Sequence, residues 1–153
     1  GSWLWPERHL VNLCSFKPGQ QVLLYGDVSL KLVKRVLNSI GKNGKVLVIG
    51  RNSQLTRYRK LMDSKYQHQV IINPFFENLA EDSLDTILVF HAKFKPDELL
   101  SLAGQTAQKL KHNGRLLIIA NKISSKALIG LSKQQTDFTL VKSSGLLSFQ
   151  KVN

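Results

Sequence analysis

Residues Phe16 to Gly26 read FKPGQQVLLYG. Lys17-Pro18-Gly19 is a turn signal, with proline and glycine side by side. Gln21 to Tyr25 (QVLLY) is then a short, nearly continuous apolar run closed by Gly26. A run of this length without alternation fits a strand buried on both faces, as strands of parallel sheets are. That reading sets the frame for everything on either side of it.

Upstream, Trp3 to Phe16 is mostly apolar with scattered polar positions, which predicts a short helix ahead of the sheet. Downstream, Val28 to Ile40 has helical spacing. Leu30, Val33, Val36, Leu37 and Ile40 fall on one face, and Lys31, Lys34, Arg35 and Asn38 on the other. Gly41 and Gly44 end it. The alternation then repeats. Lys45–Ile49 is a second strand. A helix capped by Asn52 or Ser53 carries Leu55, Tyr58, Leu61 and Met62 inward. Gln69–Ile72 is a third strand, stopped by Asn73-Pro74. Leu84–Phe90 is a fourth, followed by a helix from Pro96 to about Lys111. Arg115–Ala120 is a fifth, and Ile123–Lys133 a weaker helix. Phe138–Val141 and Leu146–Val152 form a closing hairpin around Ser143-Ser144-Gly145.

Alternating strands and helices predict a doubly wound α/β fold: a mostly parallel seven-stranded sheet, helices on both faces, and a C-terminal antiparallel hairpin. Ligands of such sheets bind beyond the carboxyl ends of the strands. The residues to watch are therefore Gly26-Asp27, Gly50-Arg51, Asn73-Pro74, His91-Ala92-Lys93 and Asn121-Lys122.

The chain has 153 residues, enough for one sizeable core. We expect residues 1–16 to be an N-terminal helical segment and 17–153 a single Rossmann-like domain. No run of ~18 apolar residues is present, so no membrane-spanning helix is expected. The single cysteine, Cys14, excludes an internal disulfide and points to a reducing, intracellular compartment, most simply the cytoplasm. Gly1-Ser2 resembles a cloning remnant, so a lost targeting signal or neighbouring domain is compatible with the sequence. The net charge is +12, from 22 Lys and Arg against 10 Asp and Glu, which predicts attraction to polyanions or acidic partners.

Three segments resemble class I S-adenosylmethionine-dependent methyltransferases. FKPGQQVLLYG looks like that family's opening turn, first strand and glycine. Glu81–Asp85 (EDSLD) is similar to its acidic, serine-containing turn before the fourth strand. Leu110–Ile118 (LKHNGRLLI) resembles its leucine-lysine-proline-glycine-glycine turn into the fifth. The resemblance covers nearly the whole chain and implies the Rossmann-like methyltransferase fold.

It also implies a cofactor pocket at Gly26, Asp27, Gly50, Arg51, Asn73 and His91, if the pocket is active. The departures from the family bear on that pocket. The family's glycine-rich loop lets the backbone approach the cofactor. Here Val28 and Leu30 stand where small residues are expected. The family's acidic residue at the end of the second strand binds the ribose hydroxyls. Here that position is Gly50, followed by Arg51, which cannot accept a hydrogen bond. Losing such an acceptor costs on the order of 1.5–3 kcal/mol, or about one to two decades of affinity. The expectation is a degenerate motif, no bound cofactor, and a binding or scaffold module for a protein or RNA partner. The alternative is an active methyltransferase with an atypical pocket using S-adenosylmethionine.

Asn73-Pro74-Phe75-Phe76 (NPFF) is similar to the amino-group methyltransferase motif but follows the third strand rather than the fourth, so it reads mainly as a strand-ending turn. His91 has the place of a base near a substrate, against the simpler reading of a loop histidine. Cys14 reads as core. His9, His68 and His112 lack metal-ligand spacing, and no catalytic triad, phosphate loop or paired carboxylates are evident. Candidate contacts for nucleic acid or another anion are Arg51, Lys34, Arg35, Arg57, Arg59 and Lys60. Lys109, Lys111, Lys122, Lys126 and Lys133 are expected on the opposite side, which spreads the charge. Arg51 with Lys93 would favour an anionic ligand such as a phosphate or carboxylate.

Overall fold

A computed structural model describes residues 7–26, 28–50, 58–59, 65–94, 96–123, 138–143 and 146–152. The chain divides into two compact units, Gly1–Asn78 and Leu79–Asn153.

The first unit holds α1 (Glu7–Cys14), β1 (Gln21–Tyr25), α2 (Leu30–Ile40), β2 (Lys45–Ile49), β3 (Val70–Ile72) and a 3-10 turn at Phe76–Asn78. Its strands run in the order β3-β2-β1, all parallel, with Leu23 level with Leu47 and Leu47 level with Ile71. Val22, Leu23 and Leu24 are consecutive and all fully buried, so β1 is covered on both faces as its sequence predicts. The Ser29 Oγ accepts a hydrogen bond from the Leu32 N–H at 3.0 Å and starts α2 there. The helix buries Leu32, Val33, Val36, Leu37 and Ile40. Leu32 thus takes the core position that periodicity assigned to Leu30. α1 packs on α2 with Leu10 and Cys14 buried, so Cys14 is core.

The second unit holds β4 (Leu84–Phe94), α3 (Pro96–Lys109), β5 (Leu110–Ile123), β6 (Phe138–Ser143) and β7 (Leu146–Lys151), in the strand order β4-β5-β7-β6. β4 and β5 are parallel, and β7 is antiparallel to both of its neighbours. The closing hairpin is therefore present. The chain is α/β with mostly parallel strands, and all seven expected strands are found.

Two strands are longer than their apolar runs. β4 continues past Phe90 to Phe94, and β5 begins at Leu110 and runs to Ile123. Backbone pairing carries the extension: His91 pairs in register with Ala120 and Lys93 with Lys122. His91 is accordingly a strand residue, not a loop residue, and so are Asn121 and Lys122. The helix expected from Ile123 falls, beyond that residue, outside the described residues. So does most of the helix between β2 and β3, of which Tyr58 and Arg59 are described and helical.

Two of the motif segments meet in the second unit. The Asp82 N–H donates to the Gln108 carbonyl at 3.1 Å and the Ser83 N–H to the Lys109 carbonyl at 3.0 Å. Lys111 pairs with Asp85 at 3.3 Å, and Lys151 with Asp82 at 3.2 Å. Gly114 sits where any side chain would collide, with a Cβ lying 2.8 Å from the Lys111 carbonyl oxygen. The EDSLD turn and the start of β5 are thus a structural latch at the amino ends of β4 and β5.

Candidate functional site

The carboxyl ends of β1, β2 and β3 are tied together by one run of hydrogen bonds. The Gly26 N–H donates to the Ile49 carbonyl at 2.8 Å, and the Asn73 N–H to the Val48 carbonyl at 2.7 Å. The Gly50 N–H donates to the Asn73 Oδ1 at 2.9 Å. Asn73 has a φ of 48°, in the left-handed region that asparagine tolerates better than most residues. One asparagine therefore ends β3 through its backbone and fixes the residue after β2 through its side chain.

Past β1, Gly26 has a φ of 112°, a region open essentially to glycine. The chain turns sharply there, and the Val28 N–H donates back to the Gly26 carbonyl at 3.0 Å. Val28 is only 4% exposed, so its side chain faces the core. Beneath it the buried Tyr58 hydroxyl donates to the Val28 carbonyl at 2.6 Å. The residue expected to obstruct the loop thus packs inward, and the loop is held from below by a phenol. Tyr58 was read from sequence as a core position; its hydrogen bond had no sequence signal.

Gly26, Gly50 and Asn73 are half-buried and brought together at this pole. Asp27 and Arg51 lie outside the described residues, as do Arg57 and Lys60. His91 belongs to the second unit. Lys34 and Arg59 are exposed. Arg35 is half-buried, and its Nε has no hydrogen-bond partner among the described residues. No cluster of three or more His, Cys, Asp or Glu side chains among the described residues is placed to hold a metal ion. No described helix is long and apolar enough to cross a membrane.

A SAM-dependent O-methyltransferase from Thermotoga maritima has the same fold over 100% of this chain and 68% of its own, with a TM-score of 0.69 and 15% identity. The chain has the fold of the class I methyltransferases. A SAM-dependent methyltransferase from Aquifex aeolicus matches 97% of this chain and 89% of its own, at a TM-score of 0.70 and 14% identity. A methyltransferase from Geobacter sulfurreducens matches 96% and 78%, at 0.66 and 18%. No protein-family model and no curated protein sequence matches the chain.

The resemblance to the methyltransferases implies a ribose acceptor at the end of β2, where this chain has Gly50. Gly50 has no side chain, and Asn73 Oδ1 accepts from the Gly50 N–H. Asn73 keeps one lone pair on that oxygen and its two amide hydrogens. Gly50 itself offers no carboxylate to a ribose diol. The NPFF segment acts as the turn its position suggested: Asn73 ends β3, and Phe76 opens the 3-10 turn. Phe75 is 76% exposed.

Proposed function

We propose that this domain uses the methyltransferase fold without using adenosylmethionine, and works as a binding or scaffold module for a macromolecular partner. The observation that carries this reading is Gly50. It stands where a ribose-binding carboxylate is needed, and its N–H is closed onto Asn73 Oδ1. Arg51 follows it and offers only donors. A carboxylate hydrogen-bonded to two hydroxyls is worth ~1.5–3 kcal/mol, and Gly50 supplies none.

A ligand that binds the folded state raises its melting temperature. The domain should therefore melt at the same temperature with and without millimolar adenosylmethionine or adenosylhomocysteine. A saturable rise in melting temperature counts against the proposal.

One observation favours the alternative of an active methyltransferase. Gly26 keeps its glycine-only conformation, and Val28 is buried rather than projecting from the loop. On that reading Gly26→Leu abolishes methyl transfer, because positioning is what the reaction chiefly needs. Unchanged turnover in that variant removes the alternative.

A further inference from the structure

Between Val28 and Phe76 the chain carries ten Lys and Arg but only one acidic residue, Asp63. The fold gathers part of this charge on one surface. Lys31, Lys34 and Asn38 lie along the exposed side of α2. The Tyr66 hydroxyl donates to Asn38 Oδ1 at 3.2 Å, which docks the segment before β3 onto that side. Gln69 secures the same segment, its Nε2 donating to the Gly41 carbonyl at 2.7 Å and the Gly44 carbonyl at 3.0 Å. Lys65 then stands with its Nζ 4.9 Å from the centre of the Tyr66 ring. Lys42 and Lys45, both exposed, follow the end of α2.

This surface is at the pole opposite the Gly26–Gly50–Asn73 cluster. The Gly19 N–H donates to the Ile40 carbonyl at 2.7 Å, and the Lys45 N–H to the Gln20 carbonyl at 3.0 Å. The last turn of α2 therefore meets the amino ends of β1 and β2.

We infer that the surface of Lys31, Lys34, Lys42, Lys45 and Lys65 binds the backbone of RNA. Lysines spaced along a helix, with no described carboxylate among them, attract a string of phosphates rather than one anion. Exposed neutral groups lie between the lysines: Asn38, Asn43, Gln67 and His68. Such groups donate to and accept from ribose 2′-hydroxyls, which DNA lacks. A membrane surface is disfavoured, because the exposed large apolar residues among the described ones, Tyr25, Ile71, Phe75 and Val152, are not among these groups. The inference rests on the reading of the domain as a binding module and names its partner. It uses a different pole from the cofactor site.

The test is fluorescence anisotropy of the full chain with a labelled RNA hairpin of about 20 nucleotides, and with DNA of the same sequence, at several salt concentrations. The patch variant Lys34→Gln/Lys65→Gln is compared with Lys111→Gln/Arg115→Gln, which removes the same charge from the other unit. The replaced lysines of the patch are exposed, so the patch variant should fold; Lys31→Gln/Lys42→Gln is a second patch variant should the first melt early, and the melting temperature of the reference variant is measured beside it. The expected result is RNA binding that weakens with salt, and a patch variant weakened about tenfold with a salt slope reduced by about 2. The reference variant should lose less than about twofold. Absence of RNA binding, equal losses in the two variants, or equal affinity for DNA would each overturn the inference. Titration of the same protein with adenosylmethionine separates the two claims. Cofactor binding beside an intact RNA response contradicts the proposed function alone. Loss of the RNA claim beside absent cofactor binding contradicts this inference alone.

Discussion

The side-chain oxygen of Asn73 accepts the Gly50 N–H at 2.9 Å, joining the residue that ends β3 to the residue that follows β2. On the proposed reading, this bond lies where the resemblance implies a ribose acceptor. It also gives the Gly50 backbone N–H a partner. Asn73→Ala removes the bond and puts alanine at a φ of 48°. The two effects sum to about 2 kcal/mol. Asn73→Asp keeps both an acceptor and a residue that tolerates this conformation. Urea unfolding should rank wild type and Asn73→Asp together, well above Asn73→Ala. Equal midpoints for alanine and asparagine would show that the bond contributes nothing.

Gly26 makes a comparable prediction on β1. Its φ of 112° is strained for any residue with a Cβ. Gly26→Ala should destabilise the protein by about 1–3 kcal/mol, read as a lower denaturant midpoint. An unchanged midpoint would mean that the turn relaxes to an ordinary conformation at no cost.

Tyr58 supports the same turn from beneath. Tyr58→Phe leaves the ring in place and removes the donor to the Val28 carbonyl, 2.6 Å away in a buried setting. The expected cost is about 1–3 kcal/mol, because the carbonyl stays buried. Amide hydrogen exchange at residues 28–33 should quicken more than exchange in the second unit. Uniform change across both units would contradict a local role.

In the second unit, Lys151 and Asp82 separate a buried contact from a surface one. Asp82 is 72% exposed, so Asp82→Asn should change stability by less than about 0.5 kcal/mol. Lys151 also donates to the Leu110 carbonyl at 2.8 Å, with its side chain only 12% exposed. Lys151→Ala should therefore lower the melting temperature clearly more than Asp82→Asn does. Equal effects would assign the whole contribution to the ion pair.

The strands were legible because their apolar runs are short and uninterrupted: QVLLY and KVLVI became β1 and β2 at the expected residues. The α2 face was legible from its period, except that the Ser29 cap shifted the inward set to include Leu32. The extension of β4 through His91 and Lys93 was not legible. The sequence there, His91-Ala92-Lys93, is no continuation of the apolar run, and the pairing that holds it lies some thirty residues further on. At the candidate site, the missing carboxylate at Gly50 could be read directly. The Asn73–Gly50 bond could not, since it joins residues 23 apart through a backbone conformation that sequence does not announce. Nor could the inward turn of Val28, a β-branched residue that looked like an obstruction. The cationic surface was half legible: Lys31 and Lys34 follow from helical spacing, but Lys65 joins them only through Tyr66 and Asn38.

We propose that the pole at Gly26, Gly50 and Asn73 does not hold adenosylmethionine. Calorimetric titration of the wild-type domain with adenosylmethionine, beside the variant Gly50→Asp, tests it most directly. The expected result is no binding by the wild type up to about millimolar, and a gain of about tenfold or more in the variant that restores an acceptor. One-site binding by the wild type at micromolar affinity would contradict it.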